Sequence, residues 1–372
     1  MSAMALLAWL APLPAFAEGP LDRFTVCLVK SAPKVEIKGK SCHFFDEELE
    51  GLVHQSEGMR THAISVAPEG IAVDGKVFDT ARLRVRSTEN WLSYGGRIFR
   101  EDLIAVRLPD DPTRLALVNE IQLEGYLYGL INKEALKVWP LEAKKAQAVA
   151  ARTYALHKKI NHPKDVCDLD SSALDQVYGG YSTEDQAARL AVDATRGEVL
   201  VYGSRIAKAF YHSTCGGKTA SSEDVWGDPQ PYLPSLACTS CAASPSFRWE
   251  YSLTRAELAA KLGAPKRHAK EFVFDIVRRD SSGRVVEARV RYGGEQKLLS
   301  GEDVRRKLGY QALKSSAFTF AVKRGRVTFS GKGFGHGVGM CQWGAAGMAA
   351  QGEDYRAILH YYYPGTMLRK IY

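Results

Sequence analysis

From residue 22 to 113 the apolar positions fall in short stretches separated by Gly, Asp and Pro. Phe24–Val29, His62–Val66, Ala81–Val85 and Leu103–Leu108 carry strand-like patterning, and the turn formers between them predict a small β-rich domain. Its expected bounds are 18–113, with a boundary near Pro109-Asp110-Asp111-Pro112, and it contains no catalytic constellation. Beyond it the pattern changes. A strand is expected at Leu115–Ile121 and a short helix at Glu124–Ile131. Trp139-Pro140 then opens a longer helix with Pro near its first position and Glu142 in its first turn. His157, Lys158 and Lys159 close it, where cations complement the dipole.

Thr183-Glu184-Asp185-Gln186 reads as a capping box for a helix reaching about Thr195. A hairpin of Glu198–Val201 and Ile206–Tyr211 follows, turning at Gly203-Ser204. Residues 246–330 read as an inserted α+β module, with a capping box at Thr254-Arg255-Ala256-Glu257. Its hairpin joins Phe272–Arg278 to Val285–Arg291 through Asp280-Ser281-Ser282-Gly283. A Gly-rich stretch and the helical DYRAILHYYY, stopped by Pro364-Gly365, complete a larger domain over 114–372. Helices interspersed with strands predict an α+β fold: a β-rich N-terminal domain, then a larger mixed domain carrying the module.

Composition narrows the function classes. The chain has 372 residues, 45% hydrophobic and 25% charged, which suits a globular protein with more than one core. The formal charge of +8 comes from Lys and Arg spread along the chain. No basic stripe or aromatic-interleaved repeat points to nucleic acid. A mild positive field suits an anionic polymer such as cell-wall glycan with its peptide carboxylates, and equally suits simple solubility.

Residues 4–17 form a short apolar run ending in Ala15-Phe16-Ala17, the small-residue pattern of a signal-peptidase site, although no Lys or Arg precedes it. Export to the periplasm or cell wall with cleavage after Ala17 is expected. No later stretch approaches 18 apolar residues, so no integral membrane segment is expected in the mature chain. Seven cysteines are present, and Cys27 with Cys42 is the obvious local candidate for a disulfide, although spacing alone does not fix connectivity.

Two segments draw attention as chemistry. Residues 139–154, WPLEAKKAQAVAARTY, give a helix whose face is nearly all alanine, interrupted by Gln147 and Arg152. Such a face lets another backbone approach closely, and Glu134 sits just upstream in NKEAL, expected as a loop. A rigid helix supporting a loop carboxylate is one way to hold a general acid. The second is GKGFGHGVGMCQWG. It lacks the Lys-Ser/Thr ending of a phosphate loop and the spacing of a dinucleotide fingerprint. Its alternating glycines predict an extended or turning strand that a ligand or backbone approaches closely, with His336 in its middle.

Three segments together resemble the stage II sporulation protein D family (the SpoIID/LytB domain). They are EGYLYGLINKEALKVWPLEAKKAQAVAARTYAL, AFYHSTCGGKTASSEDVWG and GKGFGHGVGMCQWGAAGMAAQG, the last followed by HYYYPGTML. LLSGEDVRRKLG also fits. The resemblance covers roughly residues 115–372. It implies a peptidoglycan lytic transglycosylase that cleaves between N-acetylmuramic acid and N-acetylglucosamine in peptide-stripped strands. The family's catalytic glutamate falls on Glu134. One carboxyl serves both halves of the reaction: it protonates the glycosidic oxygen, then takes the proton of the sugar's C6 hydroxyl, leaving a 1,6-anhydro ring. No second carboxylate is needed, unlike most glycosidases. Glu134 then needs a raised pKa from apolar surroundings, for which Tyr126, Leu136 and Trp139 are close in sequence, with Lys133 turned to solvent.

Gln147, Arg152, Tyr178, His212, His336 and Gln342 are polar residues in or beside the matched segments and are expected to line a sugar-binding groove. No cofactor is required by this chemistry. Zinc is a separate possibility: Cys238 and Cys241 have ligand spacing, and His212 and Cys215 would complete four ligands, although disulfides among the cysteines account for them equally. Some members of the family carry a zinc site just after the alanine-rich helix, where His162 and Cys167 stand here, but Asp175 stands where that pattern has a second Cys. Cys341 stands where the family usually has Ser and is expected to serve packing. Two rival readings remain. Related LytB-type sequences are described as enhancers of an N-acetylmuramoyl-L-alanine amidase, which would make the chain a glycan binder with an amidase partner. The other is a zinc hydrolase built on Cys238 and Cys241.

Overall fold

The computed structural model describes residues 22–161, 166–172 and 175–372; the apolar run at 4–17 and His162 lie outside the described residues. The α+β expectation holds. Residues 22–122, joined by Leu169–Asp170, form two antiparallel-rich sheets. Six strands make one, in the order Arg97–Arg100, Trp91–Tyr94, Lys34–Lys40, Met59–Ala67, Gly70–Val73, Lys76–Phe78. The other runs Leu169–Asp170, Arg23–Ala32, Leu115–Gln122, Asp102–Arg107, Arg82–Ser87, Cys42–Asp46, Gly51–Gln55. Both sheets contribute to one core, in which Phe24, Ile37, Phe44, Ile64, Val85 and Leu103 are buried. KVEIKGK shows the reason: Val35, Ile37 and Gly39 point inward while Lys and Glu alternate outward.

The strand expected to open the second region lies inside this sheet. Leu115–Gln122 pairs antiparallel with both Arg23–Ala32 and Asp102–Arg107, with Phe24 opposite Ile121 and Leu103 opposite Asn119. The expected boundary at 109–112 is the turn of that last hairpin, closed by Arg114 N donating to Asp111 O at 3.0 Å. Gln122 ends the strand and caps the helix Leu123–Glu134, so sheet and helix are continuous.

The alanine-rich helix spans Leu141–Asn161. Ala148, Ala151 and Ala155 face the first core, whereas Ala146, Val149 and Ala150 face a second, built with Tyr355, Ile358, Tyr362 and Tyr363. Methyl side chains on both faces allow one helix to be buried between two cores without holding them apart.

The inserted module closes where Arg248–Thr254 pairs with Arg326–Lys332. It has its own core of Trp249, Leu253, Phe274, Val290, Phe318 and Phe329. The expected hairpin is present as Val273–Arg279 with Val285–Tyr292, and the Thr254 capping box is complete.

Three local expectations are corrected. The helix Gln186–Ala194 is capped by Asp185, which accepts from Ala188 N at 2.8 Å. Thr183 Oγ1 instead donates to Gly129 O, and Glu184 is held by Arg100 at 2.7 and 2.9 Å. The hairpin Glu198–Tyr202 with Arg205–Ile206 is shorter than expected, because Tyr211–His212 leaves it to pair parallel with Met340–Cys341. The disulfide joins Cys27 to Cys167, not to Cys42. Leu169–Asp170 lies beside the Cys27 strand, whereas three strands separate that strand from Cys42, which is buried and free. Cys167 is thereby removed from the metal site implied for it, and Asp175 pairs with Lys158.

Candidate functional site

Glu134 is not in a loop: it is the final residue of the helix Leu123–Glu134, and Ala135 N closes that helix onto Ile131 O at 2.7 Å. Its carboxylate is held from two sides. Val177 N donates to Oε1 at 2.6 Å, and Gln342 Nε2 donates to Oε2 at 3.2 Å. Gln342 Nε2 also lies 3.3 Å from Gln147 Oε1, so Glu134, Gln147 and Gln342 form one polar cluster. The buried Gln147 Nε2 has no hydrogen-bond partner among the described residues, leaving a donor at the cluster.

Burial raises the Glu134 carboxyl above its ordinary value of 4.5, and the donors from Val177 and Gln342 only partly oppose this. The negative end of the helix dipole works in the same direction as burial. The carboxylate in turn helps hold the buried Tyr126 and Tyr211 hydroxyls well above their usual value, second to their own desolvation. Tyr126 therefore supplies part of the low-dielectric surroundings expected of it, while Lys133 and Leu136 are exposed. Trp139 and Trp343 stack edge to face at 5.3 Å, pinning the turn after Glu134 against the residue after Gln342.

The remaining expected groove residues are elsewhere. Arg152 is fully buried and forks onto Glu124 at 2.8 and 2.7 Å, with Glu198 O and Val192 O as further acceptors, so it holds the fold and faces no groove. Tyr178 is also buried; its hydroxyl donates to Asn119 at 2.9 Å and its ring packs on Tyr126 and Phe99. His212 is buried with Nδ1 3.1 Å from Val338 O. His336 accepts from Val338 N at Nδ1, so Nε2 carries the hydrogen and donates to Tyr211 O at 3.0 Å. Burial pushes it down to about 3, and it stays neutral among Phe210, His212 and Trp226. Both histidines serve the packing of the Gly-rich strand.

That strand needs its glycines. At Gly339, with φ 70°, a Cβ would lie 2.0 Å from Phe210 O, and at Gly335 it would meet His212 Cβ at 2.9 Å. The close backbone approach delivers Cys341 and Gln342 to the site. Cys341, expected as packing, joins Cys215, Cys238 and Cys241 in a group of four buried thiols with every sulfur within 4.8 Å of the others. It takes the place expected for His212, whose Nδ1 faces Val338 O and whose buried Nε2 has no hydrogen-bond partner among the described residues. Val177, Trp343 and Cys341 were not legible as site residues. A backbone donor leaves no sequence signature, whereas Cys341 and Trp343 flank Gln342 inside the motif itself.

The profile of a family described as Stage II sporulation protein matches residues 111–202, which include Glu134, Gln147 and Val177. Residues 238–339 match a domain of unknown function, DUF8618, which covers the inserted module. An uncharacterized protein of Brachyspira hyodysenteriae is 33% identical over 365 residues, 95% of this chain and 94% of the relative. Stage II sporulation protein D of Bacillus subtilis is 33% identical over 279 residues, 71% of this chain and 79% of that protein. The chain belongs to the SpoIID family. The amidase enhancer of Bacillus subtilis is 31% identical over 291 residues, 65% of this chain but only 40% of that longer relative. Membership supports a cell-wall-related role. Among the described residues no helix is long and apolar enough to cross a membrane.

Proposed function

We propose that this SpoIID-family protein is an exported lytic transglycosylase that cuts the N-acetylmuramic acid–N-acetylglucosamine bond of peptide-stripped peptidoglycan, with Glu134 as its acid and base. The observation that carries the reading is the carboxyl raised by burial yet gripped by Val177 N–H and the Gln342 amide. The short bond engages Oε1, so Oε2, with its longer partner, is the oxygen available to carry the proton. It protonates the glycosidic oxygen as positive charge develops on the sugar. The carboxylate left behind accepts the C6 hydroxyl proton as that oxygen closes on the anomeric carbon, giving the 1,6-anhydro end. Gln342 stabilises the charged form and Gln147 offers its spare amide donor to a sugar oxygen. No cofactor enters these steps. The Cys27–Cys167 disulfide suits the exported location proposed from the apolar run at 4–17.

The named relationship to an amidase enhancer favours a second reading, in which the same cluster binds glycan for a partner amidase without cutting it. Digestion of peptide-free glycan by wild type and Glu134→Gln, with mass spectrometry of the ends, separates the two. Anhydro ends that vanish in the variant support the enzyme. Binding by both proteins with cutting by neither supports the enhancer.

A further inference from the structure

We propose that Cys215, Cys238, Cys241 and Cys341 bind one zinc ion as a closed tetrathiolate that clamps the segment carrying Gln342. Geometry supplies the first argument. The four sulfurs lie within 4.8 Å of one another, and Cys215 Sγ is 3.5 Å from Cys241 Sγ. Zinc–sulfur bonds of about 2.3 Å place tetrahedral sulfurs roughly 3.8 Å apart. Cys238 and Cys241 form a Cys-x-x-Cys pair, and Gly216 and Gly217, at φ 79° and 111°, turn the chain away just after Cys215.

Donors around the sulfurs supply the second. Cys215 N and Gly344 N both donate to Cys341 Sγ, at 3.2 and 3.3 Å, and the Tyr362 hydroxyl is 3.2 Å from Cys238 Sγ. Such outer contacts suit thiolates that carry charge. A Cβ on Gly344 would stand 2.0 Å from Tyr362 Oη and 2.7 Å from Cys238 Sγ, so the helix start is fitted to the cluster.

The third argument is charge. Arg284 is 1% exposed, and its side chain donates to Cys215 O at 2.8 Å, to Lys218 O and to Ser282 Oγ; the charges acting on it include the Asp280 carboxylate, which accepts from Arg284 N at 2.9 Å, and the sulfurs of Cys215 and Cys341. Four thiolates around one divalent ion leave a net double negative charge beside this buried guanidinium. Each thiol gives up its proton as the metal binds, and nothing is oxidised or reduced.

All four positions are filled by buried protein ligands, which leaves none for water or substrate. The ion is therefore structural, which removes the basis for a zinc hydrolase at Cys238 and Cys241. Cys341 precedes Gln342 and caps the helix Gln342–Ala350, so the clamp fixes the residue that touches Glu134. This inference does not rest on the transglycosylase reading.

The test is metal analysis of the full chain after dialysis into metal-free buffer, together with thiol mapping by mass spectrometry. About one zinc per chain is expected, with the four thiols alkylated only after chelation and denaturation. Cys341→Ser should lose most of the metal, and Cys42→Ala should keep it. Should Cys341→Ser fail to fold, cobalt replacement in the wild type decides: intense visible bands of tetrahedral cobalt with sulfur charge transfer are expected. Chelation should also speed amide exchange at residues 340–345 while the Cys27 strand stays protected. A metal-free wild type that neither binds zinc nor gives those bands, or native disulfides among the four cysteines, overturns the proposal.

Discussion

Glu134 and Gln342 stand 208 positions apart in the chain, yet the Gln342 amide donates to the Glu134 carboxylate at 3.2 Å. The contact joins the end of the first helix to the start of a C-terminal one and makes the carboxyl's ionisation depend on both.

Replacing Glu134 by Gln keeps an oxygen for Val177 N–H but removes the transferable proton. Loss of cutting by at least about 10²–10⁴-fold is expected, measured as anhydro ends released per folded molecule, with an unchanged circular dichroism spectrum.

The pH dependence has a definite sign. Burial raises the Glu134 carboxyl, and the acid must be protonated, so cutting should fall as pH climbs through that raised value. Gln342→Ala removes a donor that favours the carboxylate. The alkaline limb of kcat/KM should therefore shift to higher pH; an unshifted limb would show that Gln342 does not govern ionisation.

The same shift is linked to stability. A carboxyl raised in the folded state contributes stability below its unfolded value, and that contribution is lost as pH rises through the folded one. Glu134→Gln should accordingly raise the thermal midpoint more at neutral pH than at pH 4. Equal gains at both would count against a strained carboxylate.

Arg152 separates a groove residue from a structural one. Arg152→Met leaves Glu124 buried without its cation, and a loss of about 3–5 kcal/mol in urea unfolding is expected. The surviving folded molecules should retain their KM for glycan, which a sugar-contacting arginine would not allow.

Cys27–Cys167 closes a loop of 140 residues in separation. Cys167→Ala should lower stability by about 2–5 kcal/mol, and mild reductant should destabilise the wild type but not the variant.

Much of the fold could be read from local pattern. Period-two strands, the Asp280–Gly283 turn and the alanine-rich helix depend on neighbouring residues, and local pattern locates each to within a few positions. KVEIKGK has the same alternation, but its outward Lys and Glu dilute the apolar signal. Glu134 was legible through its motif. Its partners were not, because Val177 acts through a backbone N–H and Gln342 through a contact that no periodicity encodes. Arg152 and Tyr178 are buried and bonded to Glu124 and Asn119 within the fold rather than turned towards a ligand. The cysteines divided the same way: spacing favoured Cys42 for Cys27, whereas strand order placed Cys167 beside it.

The strand Leu115–Gln122 runs straight into the helix that ends at Glu134, and its sheet neighbours on both sides come from residues before 108. The N-terminal strands are thus the footing on which Glu134 stands. Trimming them to obtain a minimal fragment would strip both edges of the strand that launches that helix, leaving its hydrogen-bonding groups bare and the carboxyl without a fixed address.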